Sequence, residues 1–426
     1  MARNYKYLAM NNCIKEIISL CSLKSLLLNS DCVKENKLYH IVLSNAVEPL
    51  FSDELLTKES KTCLKNLTKI GLLYDTVYCR LHTGQWNEVE QTEREMFTIL
   101  SYIRILYALI ICEASEESIK DGIYLADLGL MLGATVTTRH NNVETDLLST
   151  TATILTEQLS KTSITQPPLK RIKLDKHIHE EGSNDINTLP VLESPSLECF
   201  GMHYYDKQQP ALFKGIIDDW PAMERWHDPN YLLSVAGERT VPIELGSQYS
   251  SDDWSQKLMK FREFVEQNIC DNPGTSATIG HPAAYLAQHD LFDQIPALRR
   301  DIVVPDYIGR TDISPRIKAW LGPEGTISPL HTDPCHNLLC QVFGAKTVIL
   351  ARPEDTDKLY PHDHFVLHNT SQVDARRPDY EKFPLMREVS FHRVTLRRGD
   401  VLYIPPKWWH YVESLSPSFS VSFWFE

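Results

Sequence analysis

Phe419-Ser420-Val421-Ser422-Phe423-Trp424-Phe425 closes the chain with strict alternation: Phe419, Val421, Phe423 and Phe425 on one side, Ser420, Ser422 and Trp424 on the other. Successive side chains of an extended strand point to opposite faces, so this segment reads as a β-strand with a core face and a site face. The texture continues upstream. Residues 212–217 read as a strand ended by Trp220-Pro221-Ala222, and Gly399-Asp400 turns into a strand over 401–404. Residues 337–343 and 346–350 read as a hairpin about Gly344-Ala345, and 254–269 as a helix with Leu258, Phe261 and Val265 inward. Short antiparallel strands in this number, with a helix before them, fit a double-stranded β-helix, or jelly roll.

Two polar sequences are set into this half. One is Ser328-Pro329-Leu330-His331-Thr332-Asp333; the other, Pro405-Pro406-Lys407-Trp408-Trp409-His410, ends on a histidine. Alternation puts His331 and Asp333 on one side of their strand, and His410 can reach them from a partner strand. Two imidazoles and one carboxylate on one face of a metal leave three positions free. That suits non-haem Fe(II), which must hold an organic co-substrate and O2 together. His331-Thr332-Asp333 is the only His-x-Asp in the chain; His179-Glu180-Glu181 has the related form in a polar stretch. Taken alone, a His-x-Asp followed by Pro334 reads more readily as a surface turn. Lys346 changes the balance, because it shares a face with Val348 and Leu350 and so points inward. A buried ammonium needs an anionic partner. A dicarboxylic co-substrate, 2-oxoglutarate, would supply one, chelating iron at its other end, with Ser328 and Tyr285 donating hydroxyl hydrogen bonds.

Residues 197–426 resemble the JmjC family of Fe(II)/2-oxoglutarate oxygenases. The resemblance rests on the His331 and His410 sequences, on Asn337, and on Phe343-Gly344-Ala345-Lys346. It extends through Gly399-Asp400, Leu367-His368-Asn369-Thr370-Ser371-Gln372-Val373-Asp374 and Ser420-Val421-Ser422-Phe423-Trp424. It implies a cupin-like jelly roll in which His331, Asp333 and His410 ligate iron. Lys346, Tyr285, Ser328 and Asn337 would hold 2-oxoglutarate, and Glu244, Gln288, Trp320 and Trp424 would line the substrate side. Cys335-His336 and Cys340 depart from the family, which more usually has polar or aliphatic residues there. With His362 and His364, the two cysteines form an alternative zinc set of incidental spacing.

Three functions compete. Arginine hydroxylation in a protein suits Glu244 and Gln288, since carboxylates and amides match a planar guanidinium. Demethylation of N-methyl-lysine on a histone tail would favour an aromatic cage, for which Trp320, Trp424 and Tyr249 are available. A non-catalytic cupin-like interaction module would lack a metal ligand or the lysine, and neither is missing. A peptidase using the same metal has neither a dedicated nucleophile nor a His-Glu-x-x-His helix to support it.

The remaining chain predicts an α+β protein of three parts: a helical bundle over 1–160, a polar linker over 161–195, and the oxygenase domain over 196–426. Ile14, Ile17, Ile18 and Cys21 form one helical stripe, 97–111 is apolar almost all round, and 119–132 gives a helix that Gly133 stops. Gly84-Gln85-Trp86 hints at tetratricopeptide-like units, without a clean repeat. These helices are expected to bind a protein partner or support the second domain. In the linker, Lys170-Arg171-Ile172-Lys173 reads as a nuclear import signal or a solvated charge run, so the expected site is the nucleus, with the cytoplasm second.

The net charge of −13 over 426 residues argues against a nucleic-acid coat but would attract basic protein substrates. Ten cysteines without Cys-x-x-Cys fit reduced thiols. The start of the chain has no signal-peptide pattern, and the most apolar stretch, 96–112, carries Arg104, so no membrane role is expected.

Overall fold

The structure, a computed structural model, describes residues 12–19, 30–51, 61–85, 88–140, 143–162, 172, 188–246, 248–251, 253–270, 284–309, 313–364 and 367–426. Lys170, Arg171 and Lys173 of the basic cluster, most of the expected linker, Cys21, Trp86 and His179 lie outside the described residues. Two compact units emerge. One comprises 1–166 with the short segments 238–240 and 293–296; the other comprises 167–237, 241–292 and 297–426.

The first unit is built on helices Lys37–Val47, Lys61–Leu81, Gln91–Ile111, Glu116–Leu132 and Leu147–Thr162. Gln91–Ile111 is the central one: Met96, Phe97, Leu100, Ile103 and Leu106 are all fully buried, as its apolar circumference requires. Its buried Ser101 returns its hydroxyl to the Phe97 carbonyl at 2.8 Å, so this donor is not stranded in the core. Glu116–Leu132 starts on Ser115, whose hydroxyl accepts from the Ser118 N–H, with Glu116 and Glu117 in its first turn. It stops at Gly133 as expected. The all-helical expectation misses one ladder, β1 (Thr137–His140) against β2 (Val143–Asp146).

Strands β3 (Val191–Glu193), β4 (Ala211–Lys214), β5 (Thr240–Leu245), β6 (Ser255–Lys260), β7 (Ala284–His289), β8 (Arg316–Gly322) and β9 (Ile327–His331) come next. They are followed by β10 (His336–Phe343), β11 (Lys346–Ala351), β12 (His392–Leu396), β13 (Val401–Ile404), β14 (Trp409–Ser414) and β15 (Ser418–Phe425). They form a nine-stranded sheet in the order β3-β4-β13-β10-β15-β8-β7-β5-β6 and a four-stranded sheet in the order β12-β11-β14-β9. The sheets face each other across one core, where Leu339, Leu402 and Ile404 of the large sheet meet Val348, Leu350 and Val412 of the small one. Period two then divides β11 cleanly. Val348 and Leu350 enter that core, while Ile349 and Ala351 enter a second cluster with Leu330, Leu359, Trp409 and Tyr411 on the other face. Lys346 has the parity of Val348 and is directed between the sheets. This is the jelly roll expected.

Two local expectations fail. β10 and β11 are not a hairpin: β10 pairs with β13 and β15, whereas β11 pairs with β12 and β14. Gly344, at φ 72°, makes a corner that carries the chain from one sheet to the other. A Cβ there would collide with the Pro417 carbonyl and lie 2.8 Å from Ser418 Cα, so both the backbone and the space demand glycine. Nor is 254–269 a helix throughout. Residues 255–260 are strand β6 beside β5, with Leu258 41% exposed, and helical backbone begins only at Phe261. Phe261 and Val265 are buried as expected.

Candidate metal centre

His331, Asp333 and His410 come together with their ligand atoms all within 4.8 Å of one another. His410 Nε2 lies 3.6 Å from Asp333 Oδ2, and the two imidazole centroids are 4.2 Å apart. The strands explain this. β14 lies directly on β9 with His410 opposite His331. Asp333 lies just past the end of β9, not on it as simple alternation assumed. Its backbone carbonyl accepts the Lys407 N–H at 2.8 Å, which ties it to the turn leading into β14. Lys407 makes that bond from a left-handed backbone at φ 63°, a strained choice for a lysine that the surrounding contacts must hold.

Each histidine is oriented in the same way. His331 Nδ1 lies 2.7 Å from the Pro329 carbonyl, and His410 Nδ1 lies 3.0 Å from the Trp408 carbonyl. A carbonyl can only accept, so Nδ1 carries the proton and Nε2 is left as the metal-facing donor. His410 is 3% exposed. Burial foremost, then the neighbouring His331, depresses its pKa and keeps it in the neutral, ligating form.

Ser328 and His331 are three residues apart, which strict alternation would send to opposite faces. A bulge in the β9–β14 ladder, where three residues of β9 oppose two of β14, corrects the parity. Both then line one cleft with Tyr285, Trp320, Asn337, Leu339, Lys346, Ile404, Val412 and Ser422. At its base Lys346 is 1% exposed and donates to Tyr285 Oη at 3.1 Å. No carboxylate among the described residues pairs with this ammonium, and burial pulls its pKa from 10.5 down to about 7. Asn337 Oδ1 is also buried without a hydrogen-bond partner among the described residues. An open cationic site and hydroxyls from Ser328 and Tyr285 fit a small dicarboxylate beside the metal, to which Asn337 would contribute its Nδ2 donors and not the orphaned oxygen.

The substrate-side expectations divide. Trp320 lines the cleft, held by its indole N–H to Ser422 Oγ at 2.9 Å. Glu244 sits opposite Tyr285 on β5 and lines a smaller adjoining cavity with Trp254, Gln248 and that same Tyr285. Burial raises its carboxyl pKa, against the partial offset of a hydrogen bond from Trp254. Trp424 stands opposite Asn337 with Arg316 over its ring at 5.3 Å, and its indole N–H has no partner among the described residues. It does not line the cleft itself. Gln288 is exposed, at φ 53° beside an irregularity in the β7–β8 pairing, and also stands outside the cleft lining. Leu339, Ile404 and Val412 were not singled out from sequence, although their inward parity on identified strands was available; Ser422, read from the alternation as facing the site, lines the cleft. The zinc alternative fails. Cys335 is engaged by Arg316 at 3.4 Å and Cys340 is turned to the Leu338 carbonyl. Among the described residues the triad is the one group of three such side chains brought together. The described cysteines are free thiols.

Among the described residues no helix is long and apolar enough to cross a membrane. Residues 196–426 match the family model described as a cupin-like domain. The chain is 44% identical over 363 residues to Jumonji C domain-containing protein 5 of Drosophila melanogaster, covering 84% of this chain and 86% of that one. It is 37% identical over 400 residues to lysine-specific demethylase 8 of Xenopus tropicalis, covering 83% and 87%. It is 35% identical over 373 residues to lysine-specific demethylase JMJ30 of Arabidopsis thaliana, covering 82% and 84%. Enzymes of this kind use Fe(II) and 2-oxoglutarate, and the His-Asp-His triad is the donor set that such chemistry needs. The chain therefore belongs to the cupin-like family, in its JmjC branch, and is a 2-oxoglutarate-dependent oxygenase.

Proposed function

We propose that this enzyme hydroxylates an arginine side chain of a protein substrate. His331, Asp333 and His410 hold Fe(II), and Lys346, Tyr285, Ser328 and Asn337 hold 2-oxoglutarate. Bound iron supplies the activation of O2 that splits 2-oxoglutarate into succinate and CO2, one oxygen atom entering succinate and the other the substrate carbon as a hydroxyl. The protein's own part is placement. Lys346 meets the far carboxylate as a charge-assisted partner, Tyr285 and Ser328 donate to it, and Trp320 and the apolar walls exclude water.

The observation that carries the arginine reading is Glu244. It is a largely desolvated carboxyl beside Tyr285, next to the cleft, with its pKa raised by burial. Such a group favours a cation that offers it hydrogen bonds, and a guanidinium presents two parallel N–H donors to one carboxylate. A second reading is N-methyl-lysine demethylation, in which a hydroxylated methyl group leaves as formaldehyde. Trp320 on the cleft wall and the demethylase names of two relatives favour it. The nucleus is the inferred site of action, on the basic cluster Lys170-Arg171-Ile172-Lys173.

The test is mass spectrometry of arginine-containing and N-methyl-lysine peptides incubated with Fe(II), 2-oxoglutarate and O2. Gain of one oxygen on arginine supports the proposal. Loss of a methyl group with formaldehyde release replaces it with the second reading.

A further inference from the structure

The segment around Asn369 runs antiparallel past the end of β9 and continues the small sheet over the His-x-Asp motif. Thr370 bridges His331, and the Ser371 N–H donates to the Leu330 carbonyl at 2.8 Å. One step further, the Thr332 N–H donates to the Asn369 carbonyl at 2.9 Å, and the returning bond comes from a side chain. Asn369 Nδ2 donates to the Thr332 carbonyl, also at 2.9 Å. Asn369 thus grips Thr332 at both backbone groups, and Thr332 is the residue between two of the three expected metal ligands. We propose that Asn369 is a positioning residue of the metal centre. By holding the residue between His331 and Asp333 at two points, it sets the angle at which they present their donor atoms.

The strap is itself anchored, as a positioning element must be. Thr370 is fully buried and its N–H donates to the Leu367 carbonyl at 2.8 Å. Ser371 Oγ donates to the Leu359 carbonyl at 2.6 Å. Thr370 Oγ1 also shares a hydrogen bond of 3.1 Å with Tyr249, whose ring stands edge-on to His331. The ligand pair is therefore framed from two sides: Asn369 takes Thr332, and Lys407 takes the Asp333 carbonyl. Asp333 needs such a frame because it stands beyond the last paired residue of its strand, where no ladder holds it.

This inference rests on reading the triad as metal ligands, and Co(II) titration of the full chain separates the two. Wild type is expected to bind Co(II) with visible d–d absorption, and His331→Ala to lose it. Asn369→Ala and the isosteric Asn369→Asp, which lacks the donor, should each weaken Co(II) binding by about 10- to 100-fold, as loss of a group that orients metal ligands does. Their d–d bands should also shift, while the metal-free unfolding midpoint stays close to wild type. A lower metal-free midpoint with unchanged Co(II) affinity and spectrum would make Asn369 merely structural and overturn the proposal. Should Asn369→Ala fail to fold, Asn369→Asp decides. Failure of wild type to bind Co(II) would overturn the metal reading itself, and this inference with it.

Discussion

Lys346→Met should make the metal-free protein more stable and, in the same stroke, disable co-substrate binding. The lysine lies 1% exposed between the two sheets, and its ammonium is held at a pKa of about 7 against an ordinary 10.5. Because the folded-state value is the lower one, the unfolded chain binds more protons between those limits. The resulting penalty is absent above 10.5, grows as the pH falls, and is complete below about 7. At about pH 7.5 it corresponds to ~4 kcal/mol. Methionine keeps the unbranched apolar stem. The Tyr285 hydroxyl loses its 3.1 Å partner. That loss costs about 1 kcal/mol, which leaves a net gain of about 3 kcal/mol. In a unit of this size such a gain raises the unfolding midpoint by roughly 6–12 °C. The assay is thermal and denaturant unfolding of both proteins with a chelator present, at several pH values. The advantage should shrink as the pH rises towards 10. Affinity for 2-oxoglutarate, measured calorimetrically with Mn(II), should fall by about 100-fold or more, as expected when one partner of a buried charge pair is removed. A Lys346→Met protein less stable than wild type, or a stability gap independent of pH, would refute the account of the lysine as a buried cation awaiting an anion.

Other variants probe the remaining parts. His331→Ala or Asp333→Ala should abolish metal binding and reduce succinate formation to background; succinate at the wild-type rate would reject the triad. Glu244→Gln should raise the KM for an arginine peptide by about 10- to 100-fold, as loss of a charged hydrogen-bond partner does, and leave peptide-independent turnover of 2-oxoglutarate intact. An equal loss in both would move Glu244 out of the substrate role. Gly344→Ala forces a side chain into a φ of 72° against Pro417 and Ser418, and should cost about 3 kcal/mol or more. A wild-type denaturation midpoint would show that the corner is not constrained as described.

How far the chain could be read without coordinates depends on the range of the forces involved. The alternation in 419–425 is local, and it carried Ser422 to the cleft, although Trp424 of the same face does not line it. The inward aim of Lys346 followed from its parity with Val348 and Leu350 in the same way. The donor types at His331, Asp333 and His410 were legible because few metals suit two imidazoles and a carboxylate with open positions. Local signals failed where two long-range outcomes share one local pattern. A glycine corner between sheets and a hairpin turn both need positive φ, so Gly344 could not say which strands would pair. The 258, 261 and 265 spacing fits a helix, but pairing beside β5 claimed 255–260 as a strand.

Composition and periodicity thus determined that a strand-rich half carries two histidines, a carboxylate and an inward lysine, because side-chain type and backbone period are properties of neighbours in the chain. Which strand lies opposite which was decided only on closure of the two sheets. The β9 bulge that lets Ser328 join His331, the pairing of Glu244 with Tyr285, and the grip of Asn369 on Thr332 all arise there. Each depends on hydrogen bonds between segments far apart in sequence, and such bonds leave no periodic trace along the chain.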